Sequence, residues 1–219
     1  PPEMTRTDVL DTVLLLALPA SGKSEVRRYL DRQPPEVCRD HFHMGPTVQL
    51  DDYPYVHLMR RVDEEFAAAG RAGVFFEAPD RGFRTALDWG MLLELINEDH
   101  ADLRALRRRE PDDPVGWLLD RYDRARRVVG AEPPFAGLDA AARGEIFAGL
   151  RGEVQELVDE WNAALPDTLE GRTVVIEFAR GGADGAAMPL TGGMGYGYSL
   201  GVLSPDILSR SSILYIWVT

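Results

Sequence analysis

Four short runs of the chain are apolar at nearly every position, and between them apolar residues recur at helical spacing. Asp11 to Leu18, DTVLLLAL, is a continuous apolar run of strand length, the pattern of a central parallel strand covered on both faces. Thr47 to Leu50 is a second strand, closing on Asp51 and Asp52, and Arg172 to Gly182, RTVVIEFARGG, carries a third with the β-prone core Val174 to Phe178. Ile213 to Val218 is a fourth, read as a buried strand. Ser24 to Arg32 places Val26, Tyr29 and Leu30 at i, i+3 and i+4, and Pro34-Pro35 ends that helix. From Tyr55 to about Ala69, Leu58, Met59, Val62, Phe66 and Ala69 share one face, with Gly70 as C-cap. Further helices are expected at Phe83 to Glu98, Asp102 to Arg109, Val115 to Val129 and Leu138 to Leu165, broken by EPDDP and GAEPPFAG, and a short one at Ser204 to Ser212 opens on SPD. The β-α-β ordering predicts an α/β fold with a doubly wound parallel sheet in a single domain, residues 1–219. More than 100 residues of helical periodicity separate the Asp pair from the Glu177 strand, and they predict a large helical insertion at approximately 71–168.

The loop between the first strand and first helix completes the pattern A-x-x-x-x-G-K-S, Ala17 to Ser24. A helix start directed at a loop of exposed N–H groups is a ready anion site. Gly22 allows close backbone approach to phosphate, Lys23 can reach the β- and γ-phosphates, and the Ser24 hydroxyl can ligate Mg²⁺. The 24 basic residues comprise 23 arginines and one lysine, and that lysine is Lys23. A chain so biased toward arginine places its one compact ammonium where a planar guanidinium does not fit between phosphates.

This segment resembles the Walker A motif of P-loop NTPases, which tolerates alanine at the first glycine position. LDDYPY resembles the DDY of the kinase-like branch, including the polynucleotide-kinase and zeta-toxin groups, where an acid after the second strand deprotonates the acceptor hydroxyl. The resemblance implies a P-loop fold with ATP and Mg²⁺ as cofactors. Pro19, Ala20, Ser21, Gly22, Lys23, Ser24 and Glu25 would bind the nucleotide. Asp51 would be the base, Asp52 its capping or supporting partner, and Glu177 a Walker B acid holding the Mg²⁺ water shell together with Ser24 or positioning the nucleophile. In that branch a lid and its arginines follow the last strand. The chain ends on SSILYIWVT, so a missing C-terminal lid region is expected.

A net charge of -12 opposes binding to long nucleic acid or a membrane surface, which depends on neutralising phosphates with Lys and Arg. The single cysteine, Cys38, excludes an internal disulfide, no charged segment with a cleavage site precedes the apolar run at Val13, and no run reaches the roughly 20 apolar residues of a membrane span. A cytoplasmic location is the expectation. CRDHFH, Cys38 to His43, has no second Cys/His pair to complete a zinc site, and reads as a surface or active-site loop.

The remaining features leave alternatives open. Eight arginines between Arg104 and Arg127 are either a solvated helix face paired with acids or an anionic-acceptor patch. In FFEAPDRGFR, Phe75 and Phe76 fit core packing, while Glu77, Asp80, Arg81 and Arg84 fit an acceptor pocket; Arg180 fits a phosphate or acceptor contact or a plain surface arginine. Tyr196 and Tyr198, in the glycine-rich stretch Gly181 to Gly201, either stack on a ligand ring or pin the loop to the sheet. The function expected is a kinase transferring the γ-phosphoryl group of ATP to a hydroxyl of a small molecule or nucleotide. The alternative is a regulatory P-loop ATPase switch without an acceptor. A GTPase is disfavoured, because an N-K-x-D guanine motif needs a second lysine.

Overall fold

The computed structural model describes residues 9–17, 23–79, 81–177 and 195–216. Strands β1 (Thr12–Ala17), β2 (Thr47–Asp51), β3 (Thr173–Glu177) and β4 (Ser211–Ile216) form one sheet with every pairing parallel, in the order β2-β3-β1-β4. The apolar run of β1 is central and covered on both faces, as a parallel sheet requires.

Helices α1 (Lys23–Asp31) and α2 (Pro35–Phe42) follow β1. The β2 to β3 crossover carries α3 (Tyr53–Ala68), α4 (Ala86–Arg104), α5 (Pro114–Val128), α6 (Ala140–Ile146) and α7 (Arg151–Ala164). Short helices α8 (Tyr196–Val202) and α9 (Pro205–Arg210) lead into β4. Strand alternation divides the core between the two faces of the sheet. Leu14, Leu16, Leu50 and Ile176 join the large cluster that includes α3, α4, α5 and Ile207 of α9. Val13, Leu15, Val175 and Met44 form a smaller cluster beneath Leu30 of α1. The crossovers therefore cover opposite faces of a doubly wound sheet.

At the amino edge of the sheet, the buried Thr173 hydroxyl donates to the Leu10 carbonyl (2.8 Å) and accepts from the Gly45 amide (3.0 Å). The chain segments entering β1, β2 and β3 are thereby tied together. A Cβ on Gly45 would lie 1.9 Å from the Gly171 carbonyl oxygen, so only glycine admits this approach.

The helical body is closed by charge as well as by apolar packing. Asp99 accepts from the Tyr55 hydroxyl at 2.7 Å and from Arg121 Nη2 at 2.8 Å, and it also pairs with Arg109. Arg121 donates through Nε to Glu98 (2.8 Å), and the Arg109 guanidinium lies 3.6 Å from the centre of the Trp161 ring. Burial is the first cause pushing the Tyr55 hydroxyl up to about 12, so it remains a donor. Burial alone would lower Arg121, but Tyr55, Asp99 and Glu98 together hold it well above its ordinary value.

Several expectations are corrected. Pro35 does not only end α1: it opens α2, because proline's fixed φ and missing N–H suit a first helical position. CRDHFH is therefore mostly helix rather than loop, and Cys38 Sγ donates to the Leu30 carbonyl at 3.4 Å. The helices expected at Phe83 to Glu98 and Asp102 to Arg109 are one helix, α4, opened by a Thr85/Asp88 capping box and ended before Leu106, which stands at φ 49°. The expected helix Leu138 to Leu165 is divided by a 3-10 turn, Ala148–Leu150. Arg109 and Arg121 are buried rather than on a solvated face. β4 is an edge strand with Ile213 56% exposed, not a buried one. Tyr196 is fully buried, its ring edge-on to Tyr215 at 6.5 Å, which takes the pinning alternative for that residue.

Candidate active site at the carboxyl edge of the sheet

Adjacent strands β1 and β3 send their following helices to opposite faces of the sheet. Open α/β sheets bind ligands outside the carboxyl ends of the strands at such a switch point, because the diverging connections leave a crevice there. The candidate residues are distributed around it.

Register brings the two acids together. Asp51 of β2 is paired in register with Glu177 of β3, and Glu177 in turn with Leu15 of β1, two residues before the end of that strand. Neighbouring strands lie about 4.8 Å apart, so both acids stand within roughly two strand spacings of Leu15. Alternation also puts them on one face. Asp51 is offset by one from Leu50 and Glu177 by one from Ile176, both of which belong to the opposite cluster, so the acids share the face of Leu15 and Val175 on which α1 packs. Val26 and Leu30 of α1 line a groove against Val13, Leu15, Gln49 and Val175 on that face. Helix α1 begins at Lys23, six residues beyond Ala17 at the end of β1, with the motif loop between them.

Of the Asp pair, it is Asp51 rather than Asp52 whose side chain bonds the head of α3. Asp52 occupies the N-cap position of α3, yet its side chain makes no capping hydrogen bond. It is 5% exposed and is held by another interaction. The Asp51 carboxylate accepts the Tyr53 amide at 2.8 Å through Oδ1, and it is half-buried at the mouth of the edge. Glu177 is half-buried and is also partnered. Glu25 is exposed on α1, paired with Arg28 at 2.8 Å.

Other candidates lie elsewhere. Arg84 donates through Nε to the Phe76 carbonyl (2.8 Å), and the Arg81 carbonyl accepts from Arg60 (3.2 Å). The cavity that Arg84 lines rests on Arg60 to Ala67 of α3, about 10 to 21 Å along the helix axis from Tyr53. The structure thus brings Arg84 to the middle of α3 rather than beside Asp51. Pro19, Ala20, Ser21, Gly22, Asp80 and Arg180 lie outside the described residues, and for Lys23 and Ser24 the helical backbone alone is described.

A groove that sequence reasoning missed adjoins Asp51. Tyr53, His57, Glu153, Glu156 and Glu160 line a space of about 300 Å³ between α3 and α7. Tyr53 is 70% exposed and stacks on His57, with ring centres 6.5 Å apart. His57 Nε2 lies 2.7 Å from Glu153, which also accepts from Arg61 at 2.9 Å. Partial burial works against it, but the hydrogen bonds from Arg61 and His57 hold the Glu153 carboxyl below its ordinary range. The signal was present as Tyr53 and His57 at i, i+4 and the three glutamates at i, i+3, i+7.

Among the described residues, no group of three or more His, Cys, Asp or Glu side chains could hold a metal ion, and no helix is long and apolar enough to cross a membrane. Comparison with known protein families, with curated proteins and with solved structures finds no match to this chain.

Proposed function

We propose that the chain is a P-loop phosphotransferase of the kinase-like kind, moving the γ-phosphoryl group of ATP onto a hydroxyl acceptor. The observation that carries this reading is the register pairing of Asp51 with Glu177, on the face and edge where the only lysine of the chain opens a helix. Backbone N–H groups of residues 19–24 with Lys23 would hold the phosphates, and Ser24 with Glu177 would hold Mg²⁺. Bound there, ATP·Mg²⁺ supplies the phosphoryl group. Phosphoryl transfer is mainly positioning and electrostatics, so the chain's own tasks are few. Asp51 orients the acceptor hydroxyl and takes its proton, while its bond to the Tyr53 amide fixes the carboxylate at the head of α3.

The groove beside Tyr53 is the acceptor's place in this reading. Its three glutamates and the net charge of -12 disfavour a phosphorylated acceptor and favour a neutral or cationic polyhydroxyl compound. The helices within residues 71–168 would then serve as the acceptor-side module of a single P-loop domain acting in the cytoplasm. The alternative, an ATPase switch with no acceptor, is favoured by one observation: the Asp51–Tyr53 bond gives that carboxylate a structural task at the helix start.

The test is ATP consumption over a panel of hydroxylated metabolites, for wild type, Lys23→Ala and Asp51→Asn. The phosphotransferase reading expects turnover with particular acceptors that both variants lose. Hydrolysis indifferent to every acceptor and to Asp51→Asn selects the switch, and no ATP-dependent turnover in any arm overturns both readings.

A further inference from the structure

Helices α3 and α7 face each other across the groove beside Asp51, and their contacts fix its direction. Glu65 lies against Gly149, just before α7, and Arg61 and His57 both reach Glu153, at 2.9 and 2.7 Å. The two helices therefore run antiparallel. Glu156 and Glu160, one and two turns beyond Glu153, stand toward the Tyr53 end of the groove, and Tyr53 is the residue whose amide Asp51 accepts at 2.8 Å. Pro54, Leu58 and Leu157 give the groove an apolar floor.

Of the three glutamates on this wall, one is occupied and two are not. Glu153 is committed to Arg61 and His57. Among the described residues, Glu156 and Glu160 form no ion pair, and no lysine or arginine lines the groove. Two like charges four apart on one helix destabilise it. Glu160 also stands next to the last turn of α7, the negative end of the helix dipole, and that turn carries no basic residue. Arg109, which lies over the Trp161 ring there, is committed to Asp99 and Asp102. An aromatic ring completes the wall: Tyr53 is 70% exposed yet held, because its ring stacks on His57 and Glu153 holds His57 in turn.

A cation relieves this arrangement, and the open face of an aromatic ring beside it suits both an ammonium and the C–H face of a ring. On the phosphotransferase reading, on which this inference rests, we propose that the groove holds the acceptor and that the acceptor is an aminated cyclic polyol, an amino sugar or aminocyclitol: its ring on Tyr53, two ammonium groups on Glu156 and Glu160, and a hydroxyl at Asp51. Residues four apart on a helix hold their Cβ atoms about 5 to 6 Å apart, the scale of a 1,3-diamine on a six-membered ring. The space of about 300 Å³ admits such a ring with its substituents. The ring hydroxyl passes its proton to Asp51 as its oxygen bonds the γ-phosphorus of ATP, and the bond to the β–γ bridging oxygen breaks to release ADP. A neutral polyol leaves both carboxylates unmatched, and a phosphorylated one is repelled by them.

The test is calorimetric titration of the full chain with 2-deoxystreptamine, a diaminocyclitol, and with its neutral di-N-acetyl derivative, followed by ATP consumption with each. The diamine is expected to bind about tenfold or more tighter than the derivative, since acetylation removes both charge-assisted contacts. Glu156→Gln together with Glu160→Gln, at two exposed positions, is expected to bring the diamine down to the level of the derivative, and Tyr53→Ala to weaken both ligands while Tyr53→Phe preserves them. No binding of the diamine, equal binding of the two ligands, or a double variant that binds the diamine like wild type overturns the proposal. ATP consumption with neutral polyols only also overturns it and leaves the phosphotransferase reading standing. Charge-selective binding without ATP consumption by any acceptor of the panel upholds the groove as the site of an aminated polyol and overturns that reading.

Discussion

The helical body and the carboxyl edge of the sheet handle charge in opposite ways. In the body, Arg109, Arg121 and Asp99 are at most 5% exposed, and their charges are matched among themselves, Tyr55 and Glu98. At the edge, Asp51 and Glu177 stand half-buried and in register on adjacent strands, two like charges, Asp51 bonded to the Tyr53 amide and Glu177 also partnered. Buried charges that satisfy one another stabilise a particular packing and have nothing left for a ligand. Carboxylates held in register at the edge, with water still in reach, retain capacity for chemistry. The abundance of charge in this chain is thus a poor guide to its site, and the location of each charge in the sheet is a good one.

The largest expected effect breaks the body. Asp99→Ala leaves two guanidiniums and a phenol facing a vacated centre, and should cost about 3–5 kcal/mol of folding stability, measured by urea denaturation. A cost below about 1 kcal/mol would mean the cluster is wetter than its burial implies. Gly45→Ala comes next. Its Cβ would meet the Gly171 carbonyl oxygen, and parting the two backbones should cost about 1–3 kcal/mol in the same assay.

Asp51→Asn sharpens the other side of the comparison. Asparagine can still accept the Tyr53 amide, so stability should change by no more than about 0.5 kcal/mol while acceptor-dependent turnover is lost. A large loss of stability would move Asp51 from the site to the frame. The smallest effect is a pH slope. His100 is 1% exposed, faces Asp206, Arg104, Asp11 and Arg210, and is held below its ordinary value chiefly by burial. The unfolded chain therefore takes up the proton first, so this contribution is complete above about pH 6.5 and is lost as pH falls below that value toward the lower folded one. Denaturation at pH 7.5 and 5.5 should show a smaller drop for His100→Gln than for wild type, and equal drops would remove His100 from the balance.

The central strands were legible in the sequence because a parallel strand covered on both faces must be apolar throughout, as TVLLLA and TVVIE are. The Asp51 and Glu177 positions were legible for the same reason: a carboxylate closing such a run lies at the end of a buried strand. That Asp51 rather than Asp52 would bond the head of α3 was not, since it depends on how the strand end meets the helix in the folded chain. Arg109 and Arg121 were hidden because the acid that neutralises both, Asp99, lies 10 and 22 residues away, beyond any helical spacing. The exposure of β4 was hidden too, because an apolar run does not reveal whether a strand is central or at an edge. The cavity against α3 depended on Gly73, Phe76 to Pro79 and Arg84 returning to that helix, which no periodicity announces.

The central claim is that the carboxyl edge binds a nucleoside triphosphate through the one lysine of the chain. Calorimetric titration of ATP with Mg²⁺ into wild type and Lys23→Ala tests it directly. The account predicts saturable binding by wild type, and a loss of about tenfold or more in affinity for the variant, the expected consequence of deleting a charge-assisted phosphate contact. No binding by wild type, or equal binding by the two proteins, would contradict it.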